Sequence, residues 1–395
     1  MSRRRLDAIV IGAGLVGSAA ALGLARAGLR VAIVEARAPA PWQADAPPDL
    51  RVFAISPASS DLLAELGVWP AIAAARVAPY RHMRVWDAAA PDDGVAFHGQ
   101  DIGASCLGHI VEQSLIQSEL WRAIVADTRI VRHCPARVVG VEQGEHGIGV
   151  ELEDGTHVHA SLLVCADGAA SPMRERLGIA TRGRDYGAQG VVGFIRTERP
   201  HENTAWQRFL PSGPLAVLPF SEGRSSIVWS LPDDEARRVL ALDDAAFARE
   251  LEHAFGSRLG TMTPVSPRAG FPLRLKLAET FTAGRAVLIG DAAHGVHPLA
   301  GQGVNLGFQD VAELLHLART AHAAGQDIGA PALLSRYARR RKSDTTMAAY
   351  AFDGIERLFG SDAVLPTLLR GPALGLVDKL PPLKRFFMQH ASGRG

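Results

Sequence analysis

Cysteine is scarce and scattered: the chain has three, Cys106, Cys134 and Cys165, with no CxxC spacing. An odd, dispersed set argues against a disulfide framework and against a zinc site, and fits a reducing cytosol. Long apolar runs are missing as well. The longest, near residues 162–166 and 286–289, have strand length, whereas a bilayer-crossing helix needs roughly 18 apolar residues. Charge of one sign is not in excess either, since 42 Lys and Arg against 41 Asp and Glu leave a net +1. A nucleic-acid partner is therefore not expected. The opening MSRRRLDAIVIG has basic residues before an apolar stretch, but glycines interrupt that stretch and no small-residue cleavage site follows. It reads as a first strand rather than a secretion signal, and the expected location is cytoplasmic.

At 395 residues the chain exceeds the roughly 250–300 that one hydrophobic core serves, so two packed domains are expected. DAIVI at 7–11 is a β-branched run, SAAALGLARAG a helical pattern closed by Gly28, and LRVAIVE a second buried strand. Strand, glycine turn, helix and strand make a βαβ unit with parallel strands. Residues 39–50, rich in Pro and Ala, read as a loop; 112–126 read as a helix, and the text from 137 to 168 as a β-meander ending in LLVCA. Residues 187–231 read as mostly strand, 234–255 as helical, AVLIG at 286 as a strand, and 304 onward as mainly helical.

Gly12, Gly14 and Gly17 form GxGxxG after a strand and at a helix start. The first glycine permits the tight turn, the second lets backbone approach a pyrophosphate, and the third allows close helix-to-strand packing. Glu35 ends the second strand, where a carboxylate accepts from a ribose hydroxyl and repels a 2′-phosphate. An adenosine diphosphate moiety is implied, from NAD or from FAD. The stretch GDAAHGVHPLAGQGVNLGFQD at 290–310 decides for FAD. Gly290 and Asp291 follow a strand, and Gly301, Gln302, Gly303, Val304 and Asn305 lead into an amphipathic helix. That helix start can stabilise the anionic edge of a reduced flavin, and Asp291 can bond a ribityl hydroxyl. Taken alone, the segment also reads as a glycine-rich surface turn.

GAGLVG with Glu35, LLVCADGAASPMRERLG at 162–178 and the 290–310 stretch together resemble the three nucleotide-binding motifs of the FAD-dependent aromatic hydroxylases, typified by para-hydroxybenzoate hydroxylase. DLRVFAISPASSDLLAELGVW, LGHIVEQSLIQSELW, WQRFLPSGPLAVLPF and DKLPPLKRFF are similar to stretches of the ubiquinone-biosynthesis hydroxylases. The resemblance implies an α/β fold with α+β character: a Rossmann-like FAD-binding domain, an inserted β-sheet substrate domain and a helical C-terminal tail. The expected division is 1–75, 100–180 and 275–335 for FAD, 76–99 and 181–274 for substrate, and 336–395 for the tail.

The resemblance further implies FAD as cofactor, NAD(P)H as reductant, and O2 activated as a flavin C4a-hydroperoxide that the inserted sheet shields from water. It makes Arg51 a contact to the flavin or its pyrophosphate and Gln113, where many relatives carry Asn, a partner on the opposite side. It also assigns Asp167 to FAD and NAD(P)H binding, against the plain reading of an Asp-Gly turn. Pro298 and the 299–303 loop would wall the substrate beside the flavin, which makes His297 and Pro298 the candidate catalytic residues. As imidazoles, His294 and His297 are tempting as acid-base groups but equally read as loop hydrogen-bonding residues, and HGVH lacks metal-pair spacing. No metal is expected. The implied reaction is hydroxylation of a polyprenylated phenol or quinol in ubiquinone biosynthesis. Alternatives are a hydroxylase of a small soluble aromatic acid, or a non-catalytic flavin-binding component of a biosynthetic complex. A homo-oligomer is left open.

Residues 336–395 hold eleven Lys or Arg against five Asp or Glu, +6 in all. RYARRRK at 336–342 reads as a solvated helix face or, together with LPPLKRFF, as a peripheral contact to an anionic membrane surface.

Overall fold

The structure, a computed structural model, describes residues 6–88, 90–295, 302–360, 388 and 392–393. The first strand, Leu6–Ile11, lies between Val31–Val34 and His157–Cys165, with Ile130–His133 and Ala286–Leu288 flanking them, all parallel. Continuous apolar runs suit these strands because helices and loops cover both faces of a parallel sheet. One cover is the Leu15–Arg26 helix, whose small side chains let another helix, Gln302–Ala323, approach closely. A Cβ added at Gly23 would meet the Leu315 side chain at 2.4 Å. The parallel sheet extends through the antiparallel meander Val138–Gln143, Ile148–Leu152 and His157–Cys165.

A second sheet has nine strands among the described residues. Its spine is the 17-residue strand Thr181–Thr197, which pairs with Arg224–Pro232 on one side and Ala269–Ala278 on the other. Alternation decides what each face meets. Val191, Ile195, Leu215, Val217, Ile227 and Trp229 pack under Phe247, Leu251 and Phe255 of the helix Asp244–Phe255. The opposite face is turned toward the first domain. Between the two sheets stands a three-stranded one, Val52–Ile55, Gly108–Glu112 and Val77–Tyr80. Its Ala54, Ala78 and Ile110 pack with Phe194 of the large sheet and Phe220 of a turn between two of its strands, so the halves share a core.

Three features differ from the sequence reading. The helical text at 234–255 is two helices, Asp233–Leu240 and Asp244–Phe255, because the Asp243 side chain accepts from the Ala246 amide and starts a new helix. Val77–Tyr80, expected in the substrate sheet, pairs with Gly108–Glu112 of the small sheet instead. The basic run 336–342 lies in the helix Pro331–Gly360 but is not a uniformly solvated face. Arg341 is buried against Asp310, the Tyr337 hydroxyl donates to the Leu288 carbonyl inside the core, and Arg340 pairs with Glu313.

Candidate functional site

The upstream glycine turn is held by contacts that tolerate no side chain at two of its three glycines. Gly12 has φ +98°, and a Cβ there would lie 2.4 Å from the Ala166 carbonyl oxygen. One at Gly17 would lie 2.1 Å from the Gly12 oxygen, so helix and strand touch through backbone alone. Gly14 is different: a Cβ there meets nothing within 4 Å. Gly14 is also the N-cap of the first helix, with no side-chain cap, so the helix start is open on the side where Gly14 faces space. Glu35 braces the turn, accepting from the Ala13 amide at 2.6 Å and the Arg37 amide at 3.0 Å.

The downstream turn begins at Gly290, φ +58°, whose amide donates to the Asp310 carboxylate at 2.9 Å. Asp291 follows, with its side chain open to the cavity and protein on its other sides. Restricted solvation pushes its carboxyl above the ordinary range, against the pull of His294 and Arg51. Arg51 lays its guanidinium 4.3 Å from the Phe271 ring centre, reaching from the first domain to the large sheet. Its carbonyl accepts from the Gln113 amide at 2.9 Å, which sets those two residues side by side.

Gly14, Arg51, Gln113, Asp291, Gly303 and Val304 all line one cavity of about 480 Å3. Its far wall is the inner face of the large sheet, including Val192, Ala205, Ala216, Leu218 and Val228. Two turns nearly 290 residues apart in sequence therefore open on one space. A cradle without side chains, two helix starts and an apolar wall fit an elongated dinucleotide with a flat ring at one end.

Residues 5–350 match the family model described as FAD binding domain. The chain belongs to this family of FAD-dependent hydroxylases. It is 37% identical to the ubiquinone hydroxylase UbiL of Rhodospirillum rubrum, over 98% of this chain and 89% of that one. It is 33% identical to the 3-demethoxyubiquinol 3-hydroxylase of Escherichia coli, over the whole of both. Among solved structures it resembles the p-nitrophenol 4-monooxygenase PnpA of Pseudomonas putida, with TM-score 0.79, 16% identity and 99% and 98% of the two chains covered. It also resembles Klebsiella pneumoniae HpxO complexed with FAD and uric acid, with TM-score 0.74, 20% identity and 98% and 96% covered. These last two likenesses concern the fold alone.

In this flavoprotein hydroxylase the site residues read from the sequence fall into four groups. Gly12, Gly14, Gly17 and Glu35 form the upstream turn, and Arg51, Gln113, Gly290, Asp291, Gly303 and Val304 lie at or beside the cavity. Asp167 and Asn305 are engaged elsewhere. Both Asp167 oxygens serve the next helix start, accepting from the Ser171 hydroxyl at 2.6 Å and the Met173 amide at 2.8 Å. Its neighbours Ala166 and Gly168 line the cavity. Asn305 is buried; its amide donates to the Ala54 carbonyl at 2.8 Å and accepts from the Ser56 amide and Ser59 hydroxyl. It fastens the downstream helix to the small sheet. Gln302 begins that helix, and Gly301, His297 and Pro298 lie outside the described residues.

His294 is a hydrogen-bonding residue of the core. It is fully buried, with Nε2 2.6 Å from Asp310 Oδ2, while Arg341 Nε donates to Asp310 Oδ1 at 2.8 Å. Sequence reasoning missed Asp310 and Arg341, although a lone aspartate on a helix otherwise facing the core was a visible hint. It also missed Glu112, buried beside Gln113, which accepts from the Asp49 amide at 2.8 Å and the Trp42 indole at 3.3 Å. Burial pushes the Glu112 carboxyl up, and the Asp49 amide, Arg76 and Trp42 hold it down. Through Asp49 it anchors the irregular segment that delivers Arg51.

Proposed function

We propose that the enzyme hydroxylates the aromatic ring of a polyprenylated phenol or quinol intermediate in ubiquinone biosynthesis, using NAD(P)H and O2. The observation that carries the reading is the shared cavity, in which the Gly14 and Gly303 helix starts face a largely apolar sheet. Bound FAD supplies, once reduced by NAD(P)H, the activation of O2 that puts one oxygen atom on the ring. The chain's own residues do the rest. The Gly14 helix start and its unfilled Cβ position suit the pyrophosphate, and Glu35, already pinned beside Ala13, suits a ribose hydroxyl. Asp291 faces the cavity where a ribityl hydroxyl would donate to it. Arg51 and Gln113 form the side walls, and the Gly303 helix start favours the electron-rich edge of the flavin. The sheet excludes water from the reacting faces.

A hydroxylase of a small aromatic acid would need a cation against the substrate wall. Among the described residues lining the cavity the only cation is Arg51, which is stacked on Phe271, and the wall of Val192, Ala216 and Val228 carries none. The apolar wall favours the prenylated substrate. The experiment is to purify the yellow protein, identify the released cofactor, and follow NAD(P)H oxidation with a prenylated phenol and with benzoate-type phenols. Product 16 mass units heavier from the prenylated phenol supports the proposal (one oxygen atom). Equal or better kcat/KM with the small acids overturns it.

Access to such a substrate suggests peripheral attachment to an anionic membrane surface, which the +6 of residues 336–395 would favour. Among the described residues no helix is long and apolar enough to cross a bilayer. Arg340 and Arg341 are held in ion pairs, so attachment would fall mainly to segment 361–395. Binding to anionic vesicles should weaken as salt rises and be lost on truncation after residue 370; cosedimentation that survives truncation removes the idea.

A further inference from the structure

The strand Thr204–Leu210 sorts its side chains by parity. Trp206 packs edge-on against Trp86 at 6.2 Å, and Arg208 donates to the Ala254 carbonyl at 2.8 Å, both on the helix-covered face. Alternation sends Ala205 and Gln207 to the other face, and both line the cavity. Gln207 is 8% exposed, and its carboxamide has no hydrogen-bond partner among the described residues.

Its surroundings make that amide conspicuous. Directly across from Gln207 is Ala216, across from Ala216 is Val228, and across from Val228 is Val192. One row of the cavity wall is thus three small or branched apolar side chains ending in a carboxamide. Gly190, in the neighbouring row opposite Ser230, keeps the trough open: the nearest atoms a Cβ there would meet are in Leu273 at 3.5 Å, Val228 at 3.9 Å and the Phe271 carbonyl at 4.0 Å. The amide atoms open into the cavity rather than being sealed in the core, so water meets them there until a ligand oxygen that enters takes its place.

We propose that Gln207 is a specificity-determining residue whose carboxamide binds an oxygen substituent of the substrate ring. The amide both donates and accepts, so it takes a hydroxyl, an ether oxygen or a carbonyl, while the Val192–Val228–Ala216 trough holds the ring's apolar edge. This deepens the reading under Proposed function and rests on it for the identity of the ring. The residue lies on the sheet wall, away from the glycine turns, so its replacement should leave FAD binding intact.

The test uses the full-length, FAD-loaded enzyme and the variant Gln207→Leu. Two prenylated phenols are compared, one with and one without an added ring methoxy group. Binding is read from perturbation of the flavin absorbance, and turnover from kcat, KM and product formed per NAD(P)H oxidised. Wild type is expected to favour the oxygenated ligand by roughly 10- to 100-fold, and the variant to bring the ratio near one, chiefly through KM. FAD content and Tm serve as controls for folding. An unchanged binding ratio in Gln207→Leu overturns the inference, with or without turnover. Lost discrimination in the binding titration, in an enzyme that hydroxylates neither phenol, upholds Gln207 as the recognition residue and strikes the proposed reaction instead.

Discussion

Gly17→Ala is expected to yield a destabilised protein that holds no FAD, whereas Gly14→Ala should fold normally and lose affinity for FAD alone. At Gly17 the added Cβ would stand 2.1 Å from the Gly12 oxygen, a backbone atom that cannot rotate away. Helix and strand must separate, at a cost of roughly 3 kcal/mol or more and a Tm lower by roughly 4 °C or more. At Gly14 the protein offers no atom within 4 Å, so the methyl group clashes with nothing of its own. What it would meet is the dinucleotide. A roughly 100-fold rise in the FAD dissociation constant, about 2.7 kcal/mol, should appear with the apoprotein Tm unchanged. Titration of apoprotein with FAD and thermal melts of both variants check this. Tight FAD binding by Gly14→Ala would place the pyrophosphate elsewhere.

Replacing Asp310 should have the largest effect on stability. Its two oxygens take the Gly290 amide, His294 and Arg341, and the Asp310, His294 and Arg341 side chains are buried. Asp310→Ala leaves the Arg341 charge with only the half-exposed Asp344 as a carboxylate partner, a loss of roughly 3 kcal/mol. It also frees the Gly290 turn that carries Asp291, so FAD affinity should fall with stability. The pH dependence has a definite sign. Burial pushes the Asp310 carboxyl up, but His294 and Arg341 outweigh it and hold it below its usual range. An unfolded aspartate titrates near ~3.9. The stabilisation is therefore fully present above that value and fades as pH falls through the lower folded-state value. Melts from pH 7 to pH 3 should show the gap between wild type and Asp310→Ala constant at first, then narrowing below about pH 4. A gap that widens on acidification would mean that Asp310 is not the ionised partner.

The contrast between Glu35 and Asp167 shows how far the residues could be read in advance. Glu35 stands at the end of a strand a fixed distance from a glycine turn, and in the fold it braces that turn through the Ala13 amide. Asp167 follows a strand in much the same way, yet its oxygens cap the next helix start. Residue type alone does not separate these outcomes, because a carboxylate accepts from whichever donors the fold brings within reach. Asn305 makes the same point: it stands in the predicted motif, and its amide fastens a helix to Ser56 and Ser59.

The amino-acid sequence by itself determined the local chemistry: the βαβ start, the two glycine turns, the family and with it FAD. These are legible because turn geometry, helix starts and strand patterning act over a few residues. The tertiary structure alone decided that the turns share a cavity, that Arg341 leaves the basic helix face to neutralise Asp310, and that the Gln207 carboxamide lines the cavity wall. Those facts depend on which distant surfaces meet, and a buried polar group takes its partner from the far side of that meeting.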